Sequence, residues 1–449
     1  MHNRLTMIAY ALYLHIPFCR QRCSYCDFNT YTTLGDLKDA YVAALAAEIT
    51  QVGEQAAAAG DPHPGVHTVF FGGGTPSLLS PAQLATILGA TGAAFALDPD
   101  AEITLEANPG TVTADYLASI RSLGINRISY GVQSALSGEL ALLGREHDFA
   151  AAVDAVAMAR AAGFDNLNLD LIYGLPGQSV ADWTRTLDAV LALAAAEPIV
   201  AHISLYCLTI EPGTPMQRWL HNGTILAPDP DVAADQYELA CERLGAAGFG
   251  HYEISNWARP GRECRHNLVY WRNEPYLGLG AGAHGMAGGY RYQVVRQPRA
   301  YVRRMGGGTA DDGRQTSDNS QKEEARGQGP ADKHFDLAPG TWNVESLSAV
   351  GRRPLAVARP FPLSSAVTEY HKVGDEEAMS DTAITQLRLL DEGLDLPAFA
   401  ARFGRAFDDV YAKEVRRLED FGLLQRHNAR LRLTDRGRFL SNRVFVEFV

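Results

Sequence analysis

Short apolar, β-branched runs recur along the first half of the chain: LYLHI at 12–16, TVFFGG at 68–73, EITLEAN at 102–108, RISYGVQ at 127–133, NLNLDLIYG at 166–174 and HISLYCLTI at 202–210. Each is short for a helix and rich in residues that fit a pleated surface. Between them lie Ala/Leu-rich stretches such as 37–52 and 150–162, whose apolar positions repeat at the spacing of a helix with one buried face. Alternation of this kind predicts an α/β fold around a parallel sheet. Six units are too few to close an eight-stranded barrel. The expectation is therefore a partial, TIM-like (βα)6 barrel with its mouth at the carboxyl ends of the strands.

The pattern changes after residue 305. Between 306 and about 364 the chain is polar and rich in Gly, Asp, Gln and Ser, too poor in apolar residues to offset the entropy of ordering it, and a mobile insertion is expected there. Helical periodicity returns from Asp375, and the short runs in LLQRHNARLRLTDRG read as a hairpin. Together they predict a helical, winged-helix-like C-terminal unit. The expected organisation is a barrel core over 1–240, an extension packing on it over 241–305, the polar insertion over 306–364 and the C-terminal unit over 365–449.

A chain of 449 residues, 46% of them hydrophobic, can bury a large core. Its net charge of −12 leaves no broad basic surface for nucleic-acid phosphates. The local group Arg296, Arg299, Arg303 and Arg304 reads as a solvated helix face. His15, Arg20 and Arg22 interrupt any leader-like run, and Glu197, Pro198 and His202 break the Ala/Leu stretch around 189–205. Neither a leader nor a transmembrane anchor is expected, and the cytoplasm is the expected compartment.

Candidate chemistry begins with Cys19, Cys23 and Cys26, a CxxxCxxC spacing with no fourth cysteine nearby. Three thiolates can hold three irons of a cubane and leave the fourth iron open. Zinc would need a further ligand, His15 or a distant residue. Disulfides suit smaller, cysteine-dense chains, whereas six cysteines are spread here over 449 residues. GGGTP at 72–76 lets backbone approach a ligand without side-chain clash, and serves equally as a tight turn between strand and helix. Glu106, Gln133, Arg145 and Asp170 fall at or just after predicted strand ends, on the rim that carries the cysteine loop.

The cysteine loop and its aromatic surroundings resemble the radical S-adenosylmethionine superfamily. Its members bind a 4Fe-4S cluster through the three cysteines and let S-adenosylmethionine chelate the fourth iron. YLHIPFC, FFGGGTPSLL, GVQS leading to LGREH, LIYGLPGQ and YEISNWARPGRECRHNLVYWRNEPYLGLGAGAHG closely resemble the HemW-type family of haem chaperones and its relatives, the oxygen-independent coproporphyrinogen III oxidases. The resemblance covers nearly the whole chain outside the insertion. It implies Cys19, Cys23 and Cys26 as cluster ligands, with Tyr13, Tyr25, Gly73, Gly74, Thr75, Glu106, Gln133, Arg145 and Asp170 around S-adenosylmethionine. A sulfonium, an adenine, a ribose and a carboxylate require such acceptors, amides and a guanidinium. His266, Asn267, Tyr270 and Trp271 then match the family's HNxxYW haem-binding motif. An imidazole is a common axial ligand and aromatic rings can cover a macrocycle. A histidine among aromatics is nonetheless more often a packed residue, and Cys264 is a rival thiolate.

Two departures separate the relatives. The oxidase reads CxxxCxxCxC where Phe28 stands here, and it carries an arm ahead of the cluster loop, which here starts at Cys19. Both favour the HemW branch: haem delivered to acceptor proteins, an electron donor such as flavodoxin or ferredoxin, and no decarboxylating activity. Oxidative decarboxylation of coproporphyrinogen III, a step of porphyrin biosynthesis, is the alternative. A radical enzyme on an unrelated substrate, with His266 purely structural, is a third.

Overall fold

The computed structural model describes residues 9–306 and 359–449. Each of the six expected runs forms a strand: β1 (Ala9–Ile16), β2 (Gly65–Gly73), β3 (Ala96–Ala107), β4 (Arg127–Gln133), β5 (Leu167–Tyr173) and β6 (Val200–Cys207). They lie parallel and in chain order. β3 starts six residues earlier than its apolar pattern because Ala96 and Leu97 already pair with Gly65 and Val66.

Alternation along the strands sorts the side chains. On β1, Leu12, Leu14 and Ile16 are fully buried and share one core with Leu45, Ile49 and Val52 of the helix Lys38–Ala58. Tyr13 and His15 point the other way, into the barrel, where Tyr13 lies against Phe70 of β2. Polar residues continue that inner face on β3 to β6, from Glu106 through Ser129 and Asp170 to Ser204.

Both edges of the parallel sheet are extended by short strands. β7 (Gly250–Glu253) and β8 (Asn256–Ala258) follow β6, while β9 (Tyr276–Leu279) lies parallel to β1 and is followed by β10 (His284–Ala287), β11 (Tyr290–Val294) and β12 (Val367–Lys372). The result is an open, twelve-stranded curved sheet.

The sequence reading placed 365–449 in a separate unit, but β12 belongs to the main sheet, pairing with β11 from Val367 to Lys372. Most of the polar stretch expected between 306 and 364 lies outside the described residues. Its end is packed: Leu363 is fully buried and the Ser364 hydroxyl donates to the buried Glu48 carboxylate at 2.5 Å.

The winged-helix-like unit begins at Asp375. Helices Asp375–Gln386, Leu396–Phe403 and Phe407–Asp420 and a three-stranded sheet of β13 (Leu394–Asp395), β15 (Arg430–Leu433) and β14 (Leu424–His427) enclose their own core of Leu387, Phe399, Phe407, Val415, Leu418 and Leu431. Asn428 turns the hairpin with φ +54°, a conformation asparagine tolerates. Among the described residues no helix is long and apolar enough to cross a membrane.

Candidate functional site

After β1 the chain makes a closed loop. Tyr31 N–H donates to Pro17 O at 2.8 Å and Cys19 N–H to Tyr31 O at 3.1 Å. Ser24, at its far side, is tied down: its N–H and hydroxyl donate to Leu143 O and Leu142 O, and its carbonyl accepts from Met216 N–H. Gly144 permits this approach, since a Cβ there would lie 3.2 Å from Ser24 N, at φ +70°.

The loop holds Cys19, Cys23 and Cys26 as free, partly buried thiols. Thr75 Oγ1 donates to Cys19 Sγ at 3.5 Å and Arg145 Nη1 to Cys23 Sγ at 3.4 Å. Burial pushes the Cys26 thiol up to about 11, the Phe28 amide opposes it, and the neighbouring thiols raise it further. Three soft donors that repel one another as thiolates are suited to a cationic iron cluster, in which each takes a different iron. Among the described residues no three His, Cys, Asp or Glu side chains converge on a single ion position.

β2 ends beside this loop. Gly73 sits at φ +107°, and a Cβ there would lie 2.4 Å from the His15 ring; one on Gly74 would lie 2.7 Å from Phe18 O. Gly74 and Thr75 N–H donate to Ile16 O and Phe18 O, and Gly73 N–H donates to Glu106 Oε2 at 3.1 Å. Burial first, then the neighbouring Asp170 carboxylate, raises Glu106 to about 8. Asp170, itself pushed up by burial, accepts from Ser129 Oγ and Asn168 Nδ2.

Gln133 adopts φ +69°, rare outside glycine, and its buried Oε1 has no partner. Arg145 Nη2 donates to Gly131 O at 2.6 Å and to Asn108 Oδ1, while its Nε–H is buried without an acceptor. Tyr25 hydrogen-bonds Cys23 and Arg145. Tyr13 lies deeper, its hydroxyl 3.1 Å from His15 Nδ1. The rim thus carries a thiol donor set, a glycine cradle and unsatisfied buried polar atoms, and these fit a cluster with an amino-acid-bearing nucleoside beside it.

The HNxxYW residues lie elsewhere. His266 is the second residue of the short helix Arg265–Trp271 and meets β2 at Thr68, whose hydroxyl is 2.8 Å from its Nδ1. Thr68 precedes Gly73 by five residues, roughly 16 Å along the strand. His266 is 1% exposed, stacked on Phe70 at 5.0 Å with Tyr270 edge-on at 5.1 Å, and its Nε2 is 2.9 Å from the Tyr270 hydroxyl. Both ring nitrogens are therefore engaged, and burial lowers the imidazole to about 3.

Asn267 N–H bonds the Cys264 thiol, which burial raises to about 12. Trp271 is buried under the Arg388 guanidinium, 4.2 Å from its ring centre. The sequence reading missed Glu102, whose carboxylate accepts both His266 N–H and Arg265 N–H at 3.1 Å. Its signal was the two-residue period that places Glu102, Thr104 and Glu106 on one face of β3. It also missed Thr68, Phe70 and Asn108, the first two inner alternates of β2.

Residues 13–190 match the Radical SAM superfamily and residues 374–440 the HemN C-terminal domain. The chain is 48% identical over 303 residues to the heme chaperone HemW of Mycobacterium tuberculosis, covering 67% of this chain and 75% of that protein. To the heme chaperone HemW of Bacillus subtilis it is 31% identical over 438 residues, 97% and 98% of the two chains. The solved structure of coproporphyrinogen III oxidase (HemN) from Escherichia coli superposes with a TM-score of 0.73 at 23% identity, covering 99% of this chain and 91% of that one. At that identity the likeness speaks for the fold.

Proposed function

Because this chain belongs to the HemW family of the radical SAM superfamily, we propose that it is a haem chaperone: it binds a 4Fe-4S cluster, S-adenosylmethionine and haem, and hands haem to acceptor proteins. Cluster and S-adenosylmethionine are the cofactors of the family, and when bound they supply one-electron chemistry. Cys19, Cys23 and Cys26 would hold the cluster, Thr75 and Arg145 steadying two of the thiolates. Gly73, Gly74, Glu106 and Gln133 would take the amino-acid and nucleoside parts of S-adenosylmethionine, with Tyr13, Tyr25 and Asp170 around them. A one-electron donor such as flavodoxin or ferredoxin and a reducing cytoplasm go with this reading.

One observation carries the haem assignment. His266 is kept neutral, the form that ligates iron, among the rings of Phe70 and Tyr270. It also stands well away from the cysteine loop, so haem can be held without using the cluster. Delivery then requires only binding and release.

The test is anaerobic reconstitution with iron and sulfide, followed by haem titration by absorbance on wild type and His266→Ala, with coproporphyrinogen oxidase turnover assayed in the same samples. Stoichiometric haem binding that weakens in the variant, without turnover, is expected. Turnover without stable haem binding would make the protein an oxidase instead.

A further inference from the structure

Between the hairpin of the C-terminal unit and the edge of the barrel lies a cavity of about 650 Å³, lined by Arg432, Arg436, Arg438 and His251, with Asp391 and Asp435 among its walls. Local sequence brings three arginines to one place. Leu431 and Leu433 point into the core of the unit, so Arg432, between them on β15, points out. Arg436 and Arg438 follow on the helix Asp435–Phe439. That helix is pressed against the start of β14: a Cβ on Gly437 would lie 1.9 Å from Leu423 O.

The guanidiniums are anchored from behind or not at all. His251 Nε2 lies 3.2 Å from Ile254 O, which only accepts, so Nε2 carries the ring proton and Nδ1 accepts from Arg438 Nη1 at 3.3 Å. The His251 ring is itself fixed, stacked at 3.9 Å on the fully buried Trp257. Arg436 Nη1 donates to Phe421 O. Among the described residues no hydrogen bond or ion pair holds Arg432, and the Nε–H groups of Arg432 and Arg438 are buried without an acceptor. The two carboxylates offset the three guanidiniums only in part. Asp435 is 96% exposed and 3.7 Å from Arg438, and Asp391 is exposed.

Like charges gathered in a half-enclosed space, with donors left over, are stabilised by an oxyanion that accepts from several forks at once. We propose that this cavity is a binding site for a compact anion offering two or more carboxylate or phosphate oxygens. Such a ligand would touch His251 of the barrel edge and the C-terminal hairpin together, strapping the two units. The site stands independently of the haem assignment, since neither the cysteine loop nor the helix Arg265–Trp271 contributes to it.

The experiment uses the reconstituted full chain at fixed ionic strength, with calorimetric titration of inorganic phosphate and, separately, succinate. Wild type, Arg432→Gln and Arg438→Gln are compared with Arg303→Gln as a control on an exposed helix. Arg432→Gln removes no bond of the folded protein, so it keeps the test independent of folding. Saturable binding that weakens at least tenfold in Arg432→Gln and not in Arg303→Gln is expected. Phosphate alone binding identifies a phosphate ligand, succinate alone a dicarboxylate. No saturable heat with either probe, or equal affinity in wild type and Arg432→Gln, overturns the proposal.

Discussion

His266 can bond iron only through a ring nitrogen with a free lone pair, and in the folded protein both nitrogens face hydroxyls. Tyr270→Phe keeps the edge-on ring at 5.1 Å and removes only the hydroxyl 2.9 Å from Nε2. A neutral hydrogen bond of this kind contributes about 1 kcal/mol net, or about 2 kcal/mol where its loss leaves the buried nitrogen unpaired. The variant therefore lowers the cost of turning the imidazole out by about 1–2 kcal/mol, a factor of about 5–30 in the population of the open form. Haem affinity should rise by that factor, because apparent affinity scales with the competent fraction. The assay is absorbance titration of haem into wild type, Tyr270→Phe and His266→Ala. Unchanged or weaker binding in Tyr270→Phe, with binding lost in His266→Ala, would refute the idea that the Tyr270 hydroxyl holds the imidazole in. Unchanged binding in His266→Ala would refute the ligand.

Three further outcomes follow from the structure. Arg388 lies 3.1 Å from Glu253 with side chains 3% and 0% exposed, so Arg388→Met leaves a buried carboxylate unpaired and should destabilise by about 3–5 kcal/mol. Denaturant melts in which the variant loses under about 1 kcal/mol would contradict this. Glu106 holds its proton to about pH 8 in the folded protein against about 4.3 unfolded. Its contribution to stability is therefore full below about pH 4.3 and is lost as pH rises to about 8. Cofactor-free Glu106→Gln should lack that part of the decline between pH 5 and 8, and parallel pH profiles would sink the assignment. Gly73→Ala drives a Cβ into the His15 ring at a positive φ. S-adenosylmethionine binding to the reconstituted variant should fall at least tenfold by calorimetry, and wild-type affinity would show the cradle is not used.

The six parallel strands were legible because each has enough apolar, β-branched residues to show its period against the Ala/Leu-rich helices. β7 to β12 were not, since a three-residue strand such as Asn256–Ala258 carries no period and is defined by its pairing with β6 and β7. The same holds for the site. Cysteine spacing and GGGTP are local signals, so they survive in one dimension. Gln133 was legible as a polar strand end but its positive φ was not. The pairing of Glu253 with Arg388 joins residues 135 positions apart, beyond the reach of any pattern. The burial of His266 was also hidden, because HNLVYW shows one apolar face but not that Thr68, Phe70 and Glu102 close over it.

The polar lining of the barrel bears on the choice between chaperone and oxidase. A porphyrinogen inside the barrel would need guanidiniums free to clamp its carboxylates. Arg145, at the mouth, already serves Gly131 O, Asn108 and Cys23. Arg127, deeper in, is 1% exposed and set against the charges of Glu102 and Asp170. Below the mouth, Asn168 ties together Ser129, Asp170, His202 and Ser204, and His202 reaches the Tyr252 hydroxyl at 2.8 Å. A bulky polyanion would have to break this network and then sit beside Glu106 and Asp170, two carboxyls that already raise each other's cost of ionisation. The interior thus disfavours a tetracarboxylate substrate, whereas the proposed haem ligand His266, its ring held by Thr68 and Tyr270, lies outside that network.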